Sequence, residues 1–264
     1  MATILEEICL NKQKELSEAK QQCPPQQLYR QVEKIMETDQ PLSLAKALEQ
    51  SPTGIIAEFK RRSPSKGNIN ASALPTDITP SYEKAGATAV SILTDKKYFG
   101  GSLDDLSNSR PLLGIPILRK DFTIDEYQIF EAKAAGANAI LLIAACLSKQ
   151  QCNDLAQTAR QLGLDTLLEI HSLQETDHIN PHISIVGVNN RNLHIFKTDI
   201  NTSFELADKL PHNITKISES GLSDPKDIMS LRKCGYKGFL MGETFMKTAN
   251  PAETLGNFIK KLTL

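Results

Sequence analysis

The sequence predicts an α/β protein, a single (β/α)8 TIM barrel preceded by an N-terminal helical extension. Three observations carry that prediction. Eight short runs of consecutive apolar residues recur between residues 55 and 242, the pattern of parallel strands buried on both faces rather than of half-exposed alternating ones. Amphipathic stretches separate the runs, and four of them reach a glycine just before the next run: KAGATAVSIL, AAGANAILLI, QLGLDTLLEI and KCGYKGFLMG. No GxGxxG or GxxxxGK(S/T) loop follows the first run, as would suit an open doubly wound sheet, and 264 residues match the ~250 typical of the closed barrel.

Taken in order, Thr3–Gln22 sets Ile4, Leu5, Ile8, Cys9 and Leu16 at helical spacing and is stopped by Pro24-Pro25. These residues leave open whether the extension, residues 1–50, packs on the outside of the barrel, residues 51–264, or caps one end and touches the site. The predicted strands are Ile55–Lys60, Thr88–Thr94, Ile115–Asp121, Asn138–Ala144, Asp165–His171, Ser184–Asn189, Ile214–Glu219 and Tyr236–Gly242. Gly86, Gly136, Gly163 and Gly235 are expected in the left-handed conformation that ends a helix, where a Cβ is costly. Helix starts are marked by Ser102-Leu-Asp-Asp, Ser148 and Ser223-Asp-Pro. One more helix, PAETLGNFIKKL, follows the last strand.

Composition removes several function classes. With 30 Lys and Arg against 31 Asp and Glu, net charge is -1, and counterion release on nucleic acid needs a concentrated positive excess. The 5 cysteines are odd in number and form no CxxC, which points to a reducing compartment and not to a disulfide framework or zinc site. His178 and His182 flank Pro181 in a predicted surface loop, His171, His194 and His212 are scattered, and no metal site is expected. The N-terminus lacks a signal peptide, and the apolar run around Ala139–Leu147 is too short to span a membrane, so the expected location is the cytoplasm.

In a barrel of this type the reacting groups come from the C-terminal strand ends and the loops after them. Strand one ends in Glu58 and Lys60, two apart and so on one side; strand three ends in Lys120-Asp121. Strand five ends in Glu169-Ile-His171, strand six in Asn189-Asn190-Arg191, strand seven in Glu219-Ser220-Gly221 and strand eight in Gly242-Glu243. Any one charge at a strand end is ordinarily just solvated. Two lysines and at least two carboxylates converging on one mouth shift one another's proton affinities, the condition for acid and base roles near neutral pH. Glycines after strands seven and eight suit either a phosphate site built from loop amides or two tight βα turns. Glu243 is an awkward neighbour for a dianion, so its amide would have to serve.

The stretches IIAEFKRRSPSKG, SILTDKKYFGGSLDDL, ILRKDFTIDEYQIFEAKAAGANAILLI, LLEIH, GVNNRNL, SESGL and LMGETFMK resemble the indole-3-glycerol phosphate synthase family, and the likeness runs nearly end to end from TILEEI onward. The resemblance implies the barrel with its helical extension, and conversion of 1-(2-carboxyphenylamino)-1-deoxyribulose 5-phosphate to indole-3-glycerol phosphate with loss of CO2 and water. It implies neither metal nor organic cofactor. Transferred by motif, Lys120 is the general acid, Glu169 the general base, Lys60 a contact to the anthranilate carboxylate, and Glu58 an organiser of the lysines. Asn189 and Arg191 are implied at the ribulose portion, and Ser220 with the amides of Gly221, Gly242 and Glu243 at the phosphate. Phe99 and Phe122 are implied as walls for the anthranilate ring, with Ser63 beside its carboxylate. The chain departs from the family at HSLQETDHINPHIS, which carries Pro181 and lacks the usual closing glycine, so the outer helix there is expected to be short. Phosphoribosylanthranilate isomerase is the alternative enzyme, but no cysteine falls at a predicted strand end. A non-catalytic phosphosugar-binding barrel is the third reading. A monomer, with a phosphosugar and no nucleic acid or membrane as partner, is expected.

Overall fold

A computed structural model describes residues 3–192 and 197–263, so His194 lies outside the described residues. Eight parallel strands close into a barrel in sequence order: β1 (Ile55–Phe59), β2 (Ala89–Leu93), β3 (Ile117–Lys120), β4 (Ala139–Ile143), β5 (Asp165–Ile170), β6 (Ile185–Asn189), β7 (Thr215–Glu219) and β8 (Gly238–Met241). β1 pairs with both β2 and β8, which seals the ring and leaves no sheet edge. Each predicted run contains its strand; the ends differ by a residue or two because the last polar residues leave the ladder for the loops. The four helix-ending glycines have φ between 70° and 99°, the left-handed conformation expected of them.

The outer ring and extension contain α1 (Ile4–Gln22), α2 (Pro25–Met36), α3 (Leu44–Gln50), α4 (Pro75–Lys84), α5 (Leu103–Ser109), α6 (Glu126–Ala134), α7 (Lys149–Gln161), α8 (Asn201–Leu206), α9 (Pro225–Lys233), α10 (Glu243–Met246) and α11 (Pro251–Leu262). Ser102 and Ser148 form capping boxes as expected. At α9 the expected Ser223-Asp-Pro start supplies Asp224 as the cap: its carboxylate accepts from the Lys226 amide, with Pro225 at the first helical position. Between β5 and β6 only a short 3-10 stretch, Leu173–His178, replaces a helix, in keeping with Pro181 and the missing glycine.

The extension does two things at opposite ends. Leu44 and Leu48 of α3 are fully buried in one apolar cluster with Ile56, Leu118, Leu141, Leu167, Ile185 and Ile217, which fill the barrel interior. Each such leucine contributes roughly 1.5–3 kcal/mol of burial, so α3 plugs the N-terminal end. Its start is pinned by Asp165 at the foot of β5, whose Oδ2 accepts from the Ser43 hydroxyl at 2.8 Å and the Ala45 amide at 3.0 Å. At the other end α1 passes the C-terminal mouth, where Lys12 meets Asp95 and Asp121. The extension thus closes one end with α3, away from the mouth, and reaches the mouth itself through α1.

Candidate active site

All predicted site residues except Ser63 line one cavity at the C-terminal mouth. Ser63 is buried in a two-rung hairpin, Arg62–Ser63 against Gly67–Asn68, where it pairs with Gly67 next to the strand that carries Glu58.

Charge is concentrated at the centre of the cavity. Lys120, last residue of β3, donates from Nζ to Glu169 Oε2 on β5 at 2.8 Å and to Glu219 Oε2 at the end of β7 at 2.7 Å. Asn189, ending β6, donates to the other Glu169 oxygen at 3.0 Å, and His171 Nε2 lies 3.4 Å from that same atom. Lys60 Nζ donates to Glu58 Oε1 at 2.5 Å. Glycines face two of these carboxylates. A Cβ on Gly187 would run into Glu219 Oε1, and one on Gly242 into Glu58 Oε1.

Proton affinities here are set by burial against charge. Burial alone would lower the Lys120 ammonium, but Glu169, Glu219 and Glu58 outweigh it and hold its pKa well above the usual lysine range. Burial would raise Glu169, yet Lys120 and His171 outweigh that and keep it well below the usual carboxylate range. For Glu219 the balance reverses: burial, joined by repulsion from Glu169 and Glu58, overcomes Lys120 and pushes the carboxyl up to about 7. Its Oε1 has no hydrogen-bond partner among the described residues, as suits a carboxyl that takes up a proton. His171, pulled down by burial but flanked by Glu169 and Glu175, is raised to about 10 and so stays cationic at neutral pH.

The two ends of the cavity differ in chemistry. At one end Phe99 and Phe122 stand with ring centroids 6.1 Å apart, above Leu141, Ile143 and Leu240. At the other, Ser220 and Gly221 both take left-handed backbone, φ 68° and 75°, and Ser220 is the sole non-glycine with positive φ among the described residues. Asn190 holds this strained turn by donating to the Ser220 carbonyl and to the Ser218 hydroxyl, both at 3.0 Å. The awkward Glu243 is answered by two cations, Lys66 Nζ at 3.7 Å and Arg191 Nη2 at 4.0 Å.

The basic run EFKRRSPSKG divides accordingly. Lys60 enters the cavity; Arg61 binds Asp105 through both terminal nitrogens and the carbonyls of Gly100 and Ala73, and Arg62 donates to the carbonyls of Lys96 and Lys97. Both arginines tie loops together. Sequence reasoning missed three contributors. Glu219 was visible as a strand end but drew no role, Lys66 sat inside the motif IIAEFKRRSPSKG without one, and Lys12 shares the buried stripe of α1 with Ile8 and Leu16. That last signal, a lysine at apolar spacing, was there to be read. Among the described residues no group of His, Cys, Asp or Glu is arranged to hold a metal ion, and no helix is long and apolar enough to cross a membrane.

Comparison with known proteins bears on these features. The sequence model of the family described as indole-3-glycerol phosphate synthase matches residues 5–259. Proteins of that description from Bacteroides thetaiotaomicron (53% identical, covering 99% of this chain and 100% of that one) and Aquifex aeolicus (44%, 88% and 91%) are similar along their length. Among solved structures, a mutant tryptophan synthase alpha-subunit from Pyrococcus furiosus superposes with a TM-score of 0.60 at 14% identity, over 80% of this chain and 98% of that one. At that identity it bears on the barrel fold alone.

Proposed function

The chain belongs to the indole-3-glycerol phosphate synthase family, and from that premise we propose how its own residues divide the work. The activity is that of a carboxy-lyase of tryptophan biosynthesis, acting on a phosphosugar bearing an anthranilate ring. In the overall reaction the ring carbon carrying the carboxylate bonds to the ketone carbon. CO2 then leaves its bonding pair to the ring, and the new hydroxyl departs as water as the neighbouring carbon loses a proton.

The observation that carries the assignment is the Lys120 ammonium held between Glu169 and Glu219, in a cavity also lined by Phe99, Phe122 and the strained Ser220–Gly221 turn. Lys120 protonates the ketone oxygen as the carbon–carbon bond forms, where an alkoxide would otherwise develop. The acid step then prepares the base step. While Lys120 is charged, Glu169 is a feeble base; once the lysine has given up its proton, the main attraction depressing Glu169 is gone and its basicity rises. Glu169 removes the proton that accompanies loss of water. Glu219 keeps Lys120 in place and, with a carboxyl near 7, can relay a proton back to it.

Phe99 and Phe122 clasp the anthranilate ring, Lys60 meets its carboxylate and Glu58 orients Lys60. Asn189 and Arg191 contact the ribulose chain. Ser220 and the amides of Gly221, Gly242 and Glu243 take the phosphate, with Lys66 and Arg191 offsetting the Glu243 charge. Anchoring both ends supplies the binding energy that bends a flexible substrate into its reactive shape. The extension, residues 1–50, acts with the barrel, residues 51–264, as part of one site. The five free thiols suit a reducing cytoplasm, and a monomer is the assembly to expect on light scattering. The direct test is to supply the substrate and follow indole fluorescence, which this tryptophan-free chain leaves unobscured. Absence of product, with the protein folded, would overturn the reading.

A further inference from the structure

Lys12 is a charged residue where an apolar one is expected. It lies on the buried stripe of α1 and is 5% exposed. Its Nζ reaches Glu15 Oε2 at 2.6 Å on its own helix, Asp121 Oδ1 at 2.9 Å beyond β3, and Asp95 Oδ2 at 3.3 Å beyond β2. Both aspartates are themselves buried, at 3% and 0% exposure. An apolar side chain would fill the space at less cost, since burying three charges is expensive unless the arrangement does something.

What it does is visible one bond further on. The Asp121 Oδ1 that faces Lys12 also accepts the Phe122 backbone N–H at 2.8 Å. Asp95 Oδ1 accepts the N–H groups of Tyr98 and Phe99 at 2.7 and 3.2 Å. Asp95 Oδ2 has no hydrogen-bond partner among the described residues, and the Lys12 ammonium faces it at 3.3 Å. Asp121 has other support, from Thr94 at 2.5 Å and Arg119 at 3.3 Å; among the described residues Asp95 has no second side chain of that kind. The two aromatic walls therefore hang from two carboxylates that one ammonium joins.

We infer that Lys12 is a positioning residue: from the N-terminal helix it clamps Asp95 to Asp121 and so sets the separation of Phe99 and Phe122, the slot for the aromatic ring of the substrate. This rests on the proposed function, since it needs an anthranilate ring in that slot. It makes α1 part of the specificity apparatus, with an effect confined to the aromatic end. The turn proposed for the phosphate, Ser220–Gly221, follows β7 and is held by Asn190, whereas Lys12 pairs with Glu15, Asp95 and Asp121.

The test compares two ligands on Lys12→Met, which keeps the length and removes the charge. One probe is the substrate with its ketone reduced to an alcohol, which carries the ring and cannot cyclise; the other is inorganic phosphate, which reports on the far end. We expect affinity for the reduced substrate to fall about tenfold or more and phosphate inhibition to change less than about twofold. KM should rise by a factor like that of the ring-bearing ligand, with kcat falling less, because clasping the ring serves ground and transition states alike. Should two unpaired aspartates prevent folding, Lys12→Met with Asp95→Asn carries the test instead. The asparagine oxygen still accepts from Tyr98 and Phe99 without adding a buried charge, while the clamp stays broken. Unchanged affinity for the reduced substrate, or proportional loss of both ligands, in whichever variant folds, overturns the inference. Failure of the wild type to bind the reduced substrate would instead strike the proposed function itself.

Discussion

Replacing Lys120 with methionine keeps most of the side-chain length and removes one charge. The ammonium lies 2.8 and 2.7 Å from two carboxylate oxygens, and at an effective dielectric constant of ~20 each attraction at that range is about 6 kcal/mol before desolvation. Breaking a buried pair from one side costs about 3–5 kcal/mol net. The stranded carboxyls limit the damage by binding a proton, at about 1.4 kcal/mol per pH unit above their ordinary pKa. That reverses the pH dependence contributed by Glu169. In the wild type its pKa is depressed, so its contribution is present above the ordinary carboxylate range and is lost as pH falls through the folded value. In the variant the folded pKa is raised, so stability is present at low pH and lost as pH rises. Urea unfolding should therefore place the variant further below wild type at pH ~8.5 than at pH ~6, by on the order of 2 kcal/mol. Turnover, read by indole fluorescence, should fall by roughly 10²–10⁴ with KM changed far less. A stability difference that does not vary between those pH values, or a kcat within about tenfold of wild type, would refute the reasoning.

Other perturbations separate the remaining roles. Ser220→Ala and Ser220→Gly both remove the hydroxyl and should raise KM about tenfold, the worth of a hydrogen bond to a charged group. Because φ is 68° there, the glycine variant should be more stable than the alanine one by about 1 kcal/mol in thermal unfolding; equal melting points would count against strain at the turn. Glu219, raised to about 7, contributes stability that is present below the ordinary carboxylate range and lost as pH climbs through 7. Glu219→Gln, which cannot ionise, should therefore gain on wild type by on the order of 2 kcal/mol between pH ~5 and ~8, and a constant gap would contradict that. Arg61→Ala removes a bidentate pair with Asp105 and two carbonyl contacts, so it should cost about 2–4 kcal/mol in urea unfolding with kcat little changed. A selective loss of kcat without loss of stability would instead make Arg61 part of the chemistry.

Much of this protein could be read from its primary structure, and unevenly so. Every barrel strand was legible, because consecutive apolar residues ended by glycines are a local consequence of burial on both faces. So were the residues at the strand ends, since in a barrel the C-terminal ends of all eight strands meet. Ser63 was legible as part of the same motif, but its pairing with Gly67 in a two-rung hairpin came only with the fold. Lys12 was overlooked because its apolar spacing on α1 marks it only as buried, while its partners, Asp95 and Asp121, come from distant loops.

The amino-acid pattern alone thus determined the strands, their order, and which side chains arrive at the mouth. Only closure of the barrel decided which charges meet there: Lys120 reaches Glu169 and Glu219 across 49 and 99 residues of chain. It also decided that two glutamates sharing one ammonium have opposite proton affinities. Backbone periodicity is set by neighbours in sequence, whereas proton affinity depends on burial and on charges brought close through space. For that reason the chemical identity of each residue was readable early, and its protonation state only after folding.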